Sequence, residues 1–324
     1  MSKNAALSLV LIFLVLIVTG AFCVGPAKAQ FGSIQHLPQI TINKDGSISP
    51  QTAYINQTGN VYALMADINS TYFVKIECSN VIFDGMGYSI NTTVNGLRFV
   101  DGYPASYADP SIYVRDATNV TIQNVSAVTS NVYAIYLLDC SDCHIIGITT
   151  DKSECISIKG NSNIITRCNS GVCVFDGANN QIFRNNITNI FLASTCRIYE
   201  NNFFLYDKPE LTASSIWDNG SVGNHWSNYT IQYPNAKEIG HSGIGDTAYF
   251  IERGNYSTRE YPNATNIDNH PLIYSYDIDQ DTISFPTTSP SVPEFSWLAI
   301  LPLFLSLLFV AVKLRHRKTT KLNQ

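Results

Sequence analysis

"NVIFDGMGYSI", residues 80–90, sets a pattern that the chain repeats: "NVTIQNVSAV" from Asn119, "CHIIGITT" from Cys143, "NIITRCNSG" from Asn163, "QIFRNNIT" from Gln181 and "RIYENNFFL" from Arg197. Each copy places branched or aromatic residues in a short strand, then turns at a corner rich in Gly or Asn. Anchored on Ile122, Ile145, Ile165, Ile182 and Ile198, the copies lie 23, 20, 17 and 16 residues apart. Phe83 stands 39 residues before Ile122, room for two coils, with "GLRFV" from Gly96 and "SIYVR" from Ser111 as strands between.

Strands this short, with no helical periodicity from Tyr72 to Leu205, exclude a doubly wound α/β sheet. Coils of roughly 20 residues stacked in one direction make a parallel β-helix, in which each repeat buries its inward side chains only against the next. Corner asparagines suit that architecture, because Asn tolerates a left-handed backbone and its amide can bond the residue stacked above it. The 16-residue spacing is short for a full coil, and an irregular β-sandwich is the alternative.

Residues 40–90, from "ITINKDGSISPQTAYINQTGNVYALMADINS" to "VIFDGMGYSI", resemble the start of NosD-like right-handed β-helix repeat surface proteins of archaea. "WDNGSVGNHWSNYT" (217–230), "GIGDTAYFI" from Gly243 and "DNHPLIY" from Asp268 are similar to that family's closing blocks, so the likeness covers about 240 residues. It departs at "NAKEIGHSGIGD", where Glu238, His241 and Ser242 stand in place of the family's aspartates, which puts a metal role for that loop in doubt. The end of a β-helix exposes strand edges and apolar side chains that must be covered. Trp217 and Trp226 follow the last coil and are expected to cap that end; a sugar platform is the competing reading.

The chain's ends place it. Lys3, an apolar run from Leu7 to Val18 and Ala27-Lys28-Ala29 describe a secretory signal peptide, with an uncleaved anchor as the alternative. Phe295 to Val312 is an uncharged span of 18 residues, about 27 Å of helix, followed by Lys313, Arg315, Arg317, Lys318 and Lys321. Basic residues stay cytoplasmic, so the body faces outward. "VPEF" before the span also resembles the PEF-type sorting signal of archaeal surface proteins, which implies a tail exchanged for lipid. The expected fold is all-β: a single-stranded right-handed parallel β-helix (solenoid) with terminal caps, plus one C-terminal transmembrane helix. Its divisions are a signal peptide (1–29), an N-terminal cap (30–72), the β-helix (73–205), a C-terminal capping region (206–280), a Pro/Ser/Thr stalk (281–294), the span (295–312) and a basic cytoplasmic tail (313–324).

Residues 30–290 carry 13 basic against 24 acidic side chains, a net charge of −11, which excludes a nucleic-acid partner. Export makes glycosylation an expectation at the N-x-S/T sites Asn56, Asn69, Asn91, Asn119, Asn124, Asn186, Asn219, Asn228, Asn255 and Asn263. "CSDCH" (140–144) has haem-attachment spacing, yet the repeat itself accounts for Cys143 as the counterpart of Asn80 and Asn119, and no cofactor is expected. Seven cysteines remain after the signal, an odd count whose pairing the sequence leaves open. "SECISIKGN" from Ser153 resembles the D-D-C-I-x-I-K stretch of polygalacturonases, but Ser153-Glu154 replaces the aspartate pair; Asp151 and Glu154 are the only acids to nominate, and no catalytic residue is assigned. "DIDQD" (277–281) lacks the glycine turn of a calcium loop and reads as solvated. No metal site is expected either.

These observations favour an exported, membrane-anchored surface protein that binds polysaccharide or a neighbouring surface-layer protein without cutting it. The alternatives are a carbohydrate-active enzyme on the same fold and, through the resemblance, copper or metal delivery. An aromatic row along the flank favours sugar binding, a carboxylate-lined groove the enzyme, and a featureless flank a structural role.

Overall fold

The computed structural model describes residues 38–69, 72–92, 99–100, 103–104, 110–129, 133–151, 154–205, 208–252 and 266–285. The segments expected to be a signal peptide (1–29), a span (295–312) and a basic tail (313–324), with Asn255 and Asn263, lie outside the described residues. Among those described, no helix is long and apolar enough to cross a membrane.

The chain is mostly β, and consecutive copies of the repeat lie side by side as parallel strands. One face is an 11-stranded sheet and a second an 8-stranded sheet, each running nearly in chain order; a third, of three strands, exists as a separate sheet only in the early coils. Later, its line of positions continues through Thr149, Asn169, Asn186, Asn202 and His225, carried by bridges and by the ends of longer strands. The stack begins before Phe73: Gln39–Ile42 pairs in parallel with Phe73–Ile76, and Val61–Leu64 with Val81–Asp84.

The anchor residues line up as the repeat requires. Phe83, Ile122, Ile145, Ile165, Ile182 and Ile198 are direct lateral partners, and all are fully buried. Facing them, Ile42, Ile76, Val114, Leu137, Ile158, Val174, Leu192 and Leu211 form another interior column. Stacking identical or similar branched side chains at one register fills the interior without voids. The 16-residue coil closes because one strand, Asn186–Leu192, serves both of two successive lines of pairing, and only three residues separate it from Cys196–Tyr199.

Two details differ from the sequence reading. The 39 residues between Phe83 and Ile122 hold one coil, not two, since Val81–Asp84 pairs directly with Val120–Gln123. Part of the surplus is a hairpin, Phe99–Val100 with Tyr103–Pro104, that joins neither main sheet. The counterpart of Asn80 and Asn119 is Asp142, not Cys143. All three adopt φ between 53 and 60°, as do Ser162 and Asn179 at the same corner. Cys143 stands one place on, inward, in the column of Val81, Val120, Asn163, Asn180 and Cys196.

Candidate functional site

Strand alternation sends every second residue of the 11-stranded sheet outward. In Ile112–Arg115 the inward residues are Ile112 and Val114, and Tyr113 points out. Its lateral partners run Tyr136, Ser157, Cys173 and Phe191. Irregularities in register beside Ala134 and beside Phe175 bring Tyr133 and Phe175 to the same face. The five rings touch in sequence. Tyr113 stacks on Tyr136 at 5.7 Å, Tyr136 meets Tyr133 at 5.8 Å, Tyr133 meets Phe175 edge-on at 5.7 Å, and Phe175 meets Phe191 at 5.1 Å. They cross five strands, about 19 Å at the usual spacing of about 4.8 Å. Phe175 is 36 % exposed and the others are half-buried. This row was missed in the sequence; its signal was an aromatic at alternate positions of strands, of which only "SIYVR" was read as one.

Beside the row, at the C-terminal ends of Tyr133–Ser141, Cys155–Asn161 and Asn169–Asp176, a polar cleft of about 330 Å³ is lined by Asp139, Ser141, Lys159, Asn161 and Asp176. Gly160 and Gly177 form its floor in left-handed conformations, at φ 151 and 116°. A Cβ on Gly177 would lie 1.8 Å from the Gly160 carbonyl oxygen, so only glycine lets the coils approach there.

The tryptophans sit at the far end of the stack. His225–Trp226 is the last strand of the long sheet, pairing with Asn202–Phe203. Trp226 lies between Phe203 at 4.3 Å and Tyr249 at 4.4 Å, nearly parallel to both, so both indole faces are covered. Trp217 and Trp226 are 1 and 2 % exposed. Their indole N–H groups donate to Asn266 Oδ1 at 2.9 Å and Asp268 Oδ2 at 3.0 Å. Beside them a cleft of about 300 Å³ is lined by Phe203, Leu205, Tyr249 and Ile251, with the Lys208–Glu252 ion pair also on its wall.

Asp268 terminates a ladder. Asn185, Asn201 and Asn224 stack inward, and each accepts at Oδ1 from the backbone N–H of the residue one coil earlier, beginning with Cys168, at 2.9–3.2 Å. The last amide, Asn224, donates to Asp268 Oδ2 from its backbone at 2.7 Å and from its side chain at 3.3 Å. Burial pushes the Asp268 carboxyl up to about 6, although the donors from Trp226, Asn224 and His270 pull it down. Gly223 makes this approach possible, since a Cβ there would meet Asp268 Oδ1 at 1.8 Å.

The other nominated residues do not converge. Glu154 is buried, accepting the Thr129 N–H at 2.8 Å and the Asp151 N–H at 3.4 Å, and burial lifts its carboxyl to about 7, whereas Asp151 beside it is exposed. Cys140 and Cys143 face inward while His144 faces solvent, so thiols and imidazole do not address one iron. "DIDQD" is more than solvated: Asp281 pairs with Arg167 at 2.7 Å and with Arg184 at 3.2 Å, and Asp277 caps the turn. Among the described residues no group of three metal-ligating side chains forms.

Among the sequons, Asn56, Asn69, Asn119, Asn124, Asn219 and Asn228 are exposed, and Asn91 and Asn186 are half-buried. Several of these amides already donate: Asn119 to Asn80 Oδ1 at 2.9 Å, Asn124 to Asp84 Oδ1 at 3.4 Å, Asn186 to Asn169 Oδ1 at 2.6 Å and Asn219 to Glu200 Oε1 at 3.3 Å.

Fold and site together define a β-rich, parallel-strand repeat protein carrying an outward aromatic row. Comparison of the chain with family models, with curated proteins and with solved structures finds no match.

Proposed function

We propose that this is an exported, membrane-anchored surface protein whose right-handed β-helix, of the NosD-like kind, binds polysaccharide along its flank without cleaving it. The observation that carries this reading is the row Tyr113–Tyr136–Tyr133–Phe175–Phe191. Aromatic rings pack against the C–H faces of pyranose rings, and the three phenols add hydrogen-bonding groups. A row that follows the helix axis suits a linear chain rather than one small sugar. The stacked tryptophans serve as the lid of the solenoid, with both faces of Trp226 occupied, and not as the platform. The test is a glycan-array and polysaccharide pull-down screen of the detergent-purified full chain. In the paired variant Tyr136→Ala, Phe175→Ala, losing two contacts of about 1 kcal/mol each weakens binding by roughly tenfold or more. Its melting temperature stays near wild type, because the interior columns are untouched. Unchanged binding would overturn the assignment.

The carbohydrate-active enzyme remains a second reading on one observation: Asp139 and Asp176 share the polar cleft beside Phe175. Release of reducing or unsaturated ends that disappears in Asp139→Asn or Asp176→Asn would replace binding with cleavage.

A further inference from the structure

Two thiols lie against one another within the aromatic face, and sugar binding uses neither. In Cys155–Asn161 the inward residues are Ile156 and Ile158; in Asn169–Asp176 they are Val172 and Val174. Cys155 and Cys173 therefore belong to the outward set. Cys155 stands beside Tyr133 on the preceding coil, and Cys173 beside Phe191 on the following one. They are nonetheless only 1 and 8 % exposed. Their places fall between Tyr133 and Phe191, the two rings that Phe175 joins.

The register explains the contact. Cys155 is paired laterally with Gly171, whose missing side chain leaves a place that Asn189 Oδ1 fills, and the next outward residue along that strand is Cys173. The two Sγ atoms are 2.7 Å apart. That is close to a disulfide bond of about 2.05 Å and shorter than two unbonded sulfurs adopt at rest.

We propose that Cys155 and Cys173 form a disulfide that staples two consecutive coils within the aromatic face. The oxidant is a small-molecule disulfide, as an exported chain meets outside the reducing cytosol. Cys173, the more exposed, loses its proton and attacks one sulfur of the oxidant, forming a mixed disulfide and expelling the first thiolate. Cys155 then loses its proton, attacks Cys173 Sγ and expels the second thiolate. Two protein thiols have lost two protons and two electrons, and one oxidant disulfide has become two thiols. The contact with the Cys173 thiol, and after it burial, holds the Cys155 thiol above its ordinary range, so Cys173 is the thiol that attacks first. The staple fixes the strands on which Tyr133, Phe175 and Phe191 stand, and so holds the row in one arrangement.

The test uses the detergent-purified full chain, incubated with oxidised glutathione, quenched in denaturant with N-ethylmaleimide and digested for mass spectrometry. The expected product is one cross-linked pair of peptides containing Cys155 and Cys173, lost on reduction. The same pair persists in the Cys140→Ser, Cys143→Ser double variant. Recovery of both peptides alkylated, or of either joined to a different cysteine, overturns the proposal. Because the readout involves no glycan, it stands or falls separately from the binding reading.

Discussion

The two halves of the stack fill the same interior corner with opposite chemistry. One column runs Val125, Ile148, Cys168, Asn185, Asn201 and Asn224, changing from branched aliphatics through a thiol to amides while its burial stays complete or nearly so. Its neighbour follows in part, from Val81 and Val120 through Cys143 to Asn163 and Asn180, before returning to a thiol at Cys196. The aliphatic side chains contribute by packing, which has no direction. The amide half is directional. Asn185 and Asn201 each donate from Nδ2 to carbonyl oxygens and to the Asn side chain of the next coil, while their own Oδ1 serves the coil before. A directional ladder must end on an acceptor that has nothing left to donate, and Asp268 is that group. A buried polar network is stabilising only when it is satisfied to its last member.

The greatest expected loss comes from opening the ladder end. Trp226→Ala removes an aromatic side chain stacked on both faces and the indole donor to Asp268, and is expected to destabilise by about 3–5 kcal/mol. Urea unfolding of the full chain measures this, with aggregation rising as the last strand edge opens. A wild-type midpoint would show that the amide half does not depend on its lid.

This comparison also shows which parts of the structure were legible. Phe83, Ile122, Ile145, Ile165, Ile182 and Ile198 were readable because a stacked interior repeats one chemical demand at one register. The two-coil reading of residues 83–122 failed because strand-like composition in "GLRFV" says nothing about partners, and its Phe99–Val100 pairs locally with Tyr103–Pro104. Cys143 was misplaced by one residue because Asn occurs both at the left-handed corner and in the inward column beside it, so Asn alone cannot set register. The aromatic row went unseen because it combines one position per coil with residues displaced by bulges. Asp268 was visible only within a closing block, since the partner that gives it meaning lies 44 residues away.

The second expected effect is pH dependence concentrated where the ladder ends. Asp268 has a folded value of about 6 against an ordinary 3.8, because burial disfavours its charge. Between these values the folded chain holds more protons than the unfolded one, so its contribution is fully present below about 3.8 and lost as pH rises through about 6, roughly 3 kcal/mol in all. Glu154, lifted from 4.5 to about 7, has the same sign over a window slightly higher. Unfolding free energy from these two groups should therefore fall from pH 4 to pH 7. Asp268→Asn should flatten the lower part of that slope and Glu154→Gln the upper part. A slope unchanged in both variants would remove buried carboxylates from the account.

The smallest effect gives the sharpest comparison, because it lies within a single column. Ile148 and Asn201 occupy equivalent inward positions, and both are fully buried. Ile148→Val deletes one methylene group, leaves every hydrogen bond in place and should cost about 0.5–1.5 kcal/mol. Asn201→Val changes side-chain volume little but strips the acceptor from the Asn185 backbone N–H and a donor from the Ile182 and Tyr199 carbonyls. Each buried group left without a partner costs about 1–3 kcal/mol, so this variant should lose more than Ile148→Val despite the milder change in shape. Hydrogen exchange at Asn185 and Cys168 then separates the two accounts. If the ladder is a chain of dependent bonds, Asn201→Val should speed exchange at both amides, while Ile148→Val should leave Asn185 protected. Equal costs and equal protection would mean that the amides are only space-filling and that the two halves do not differ in kind.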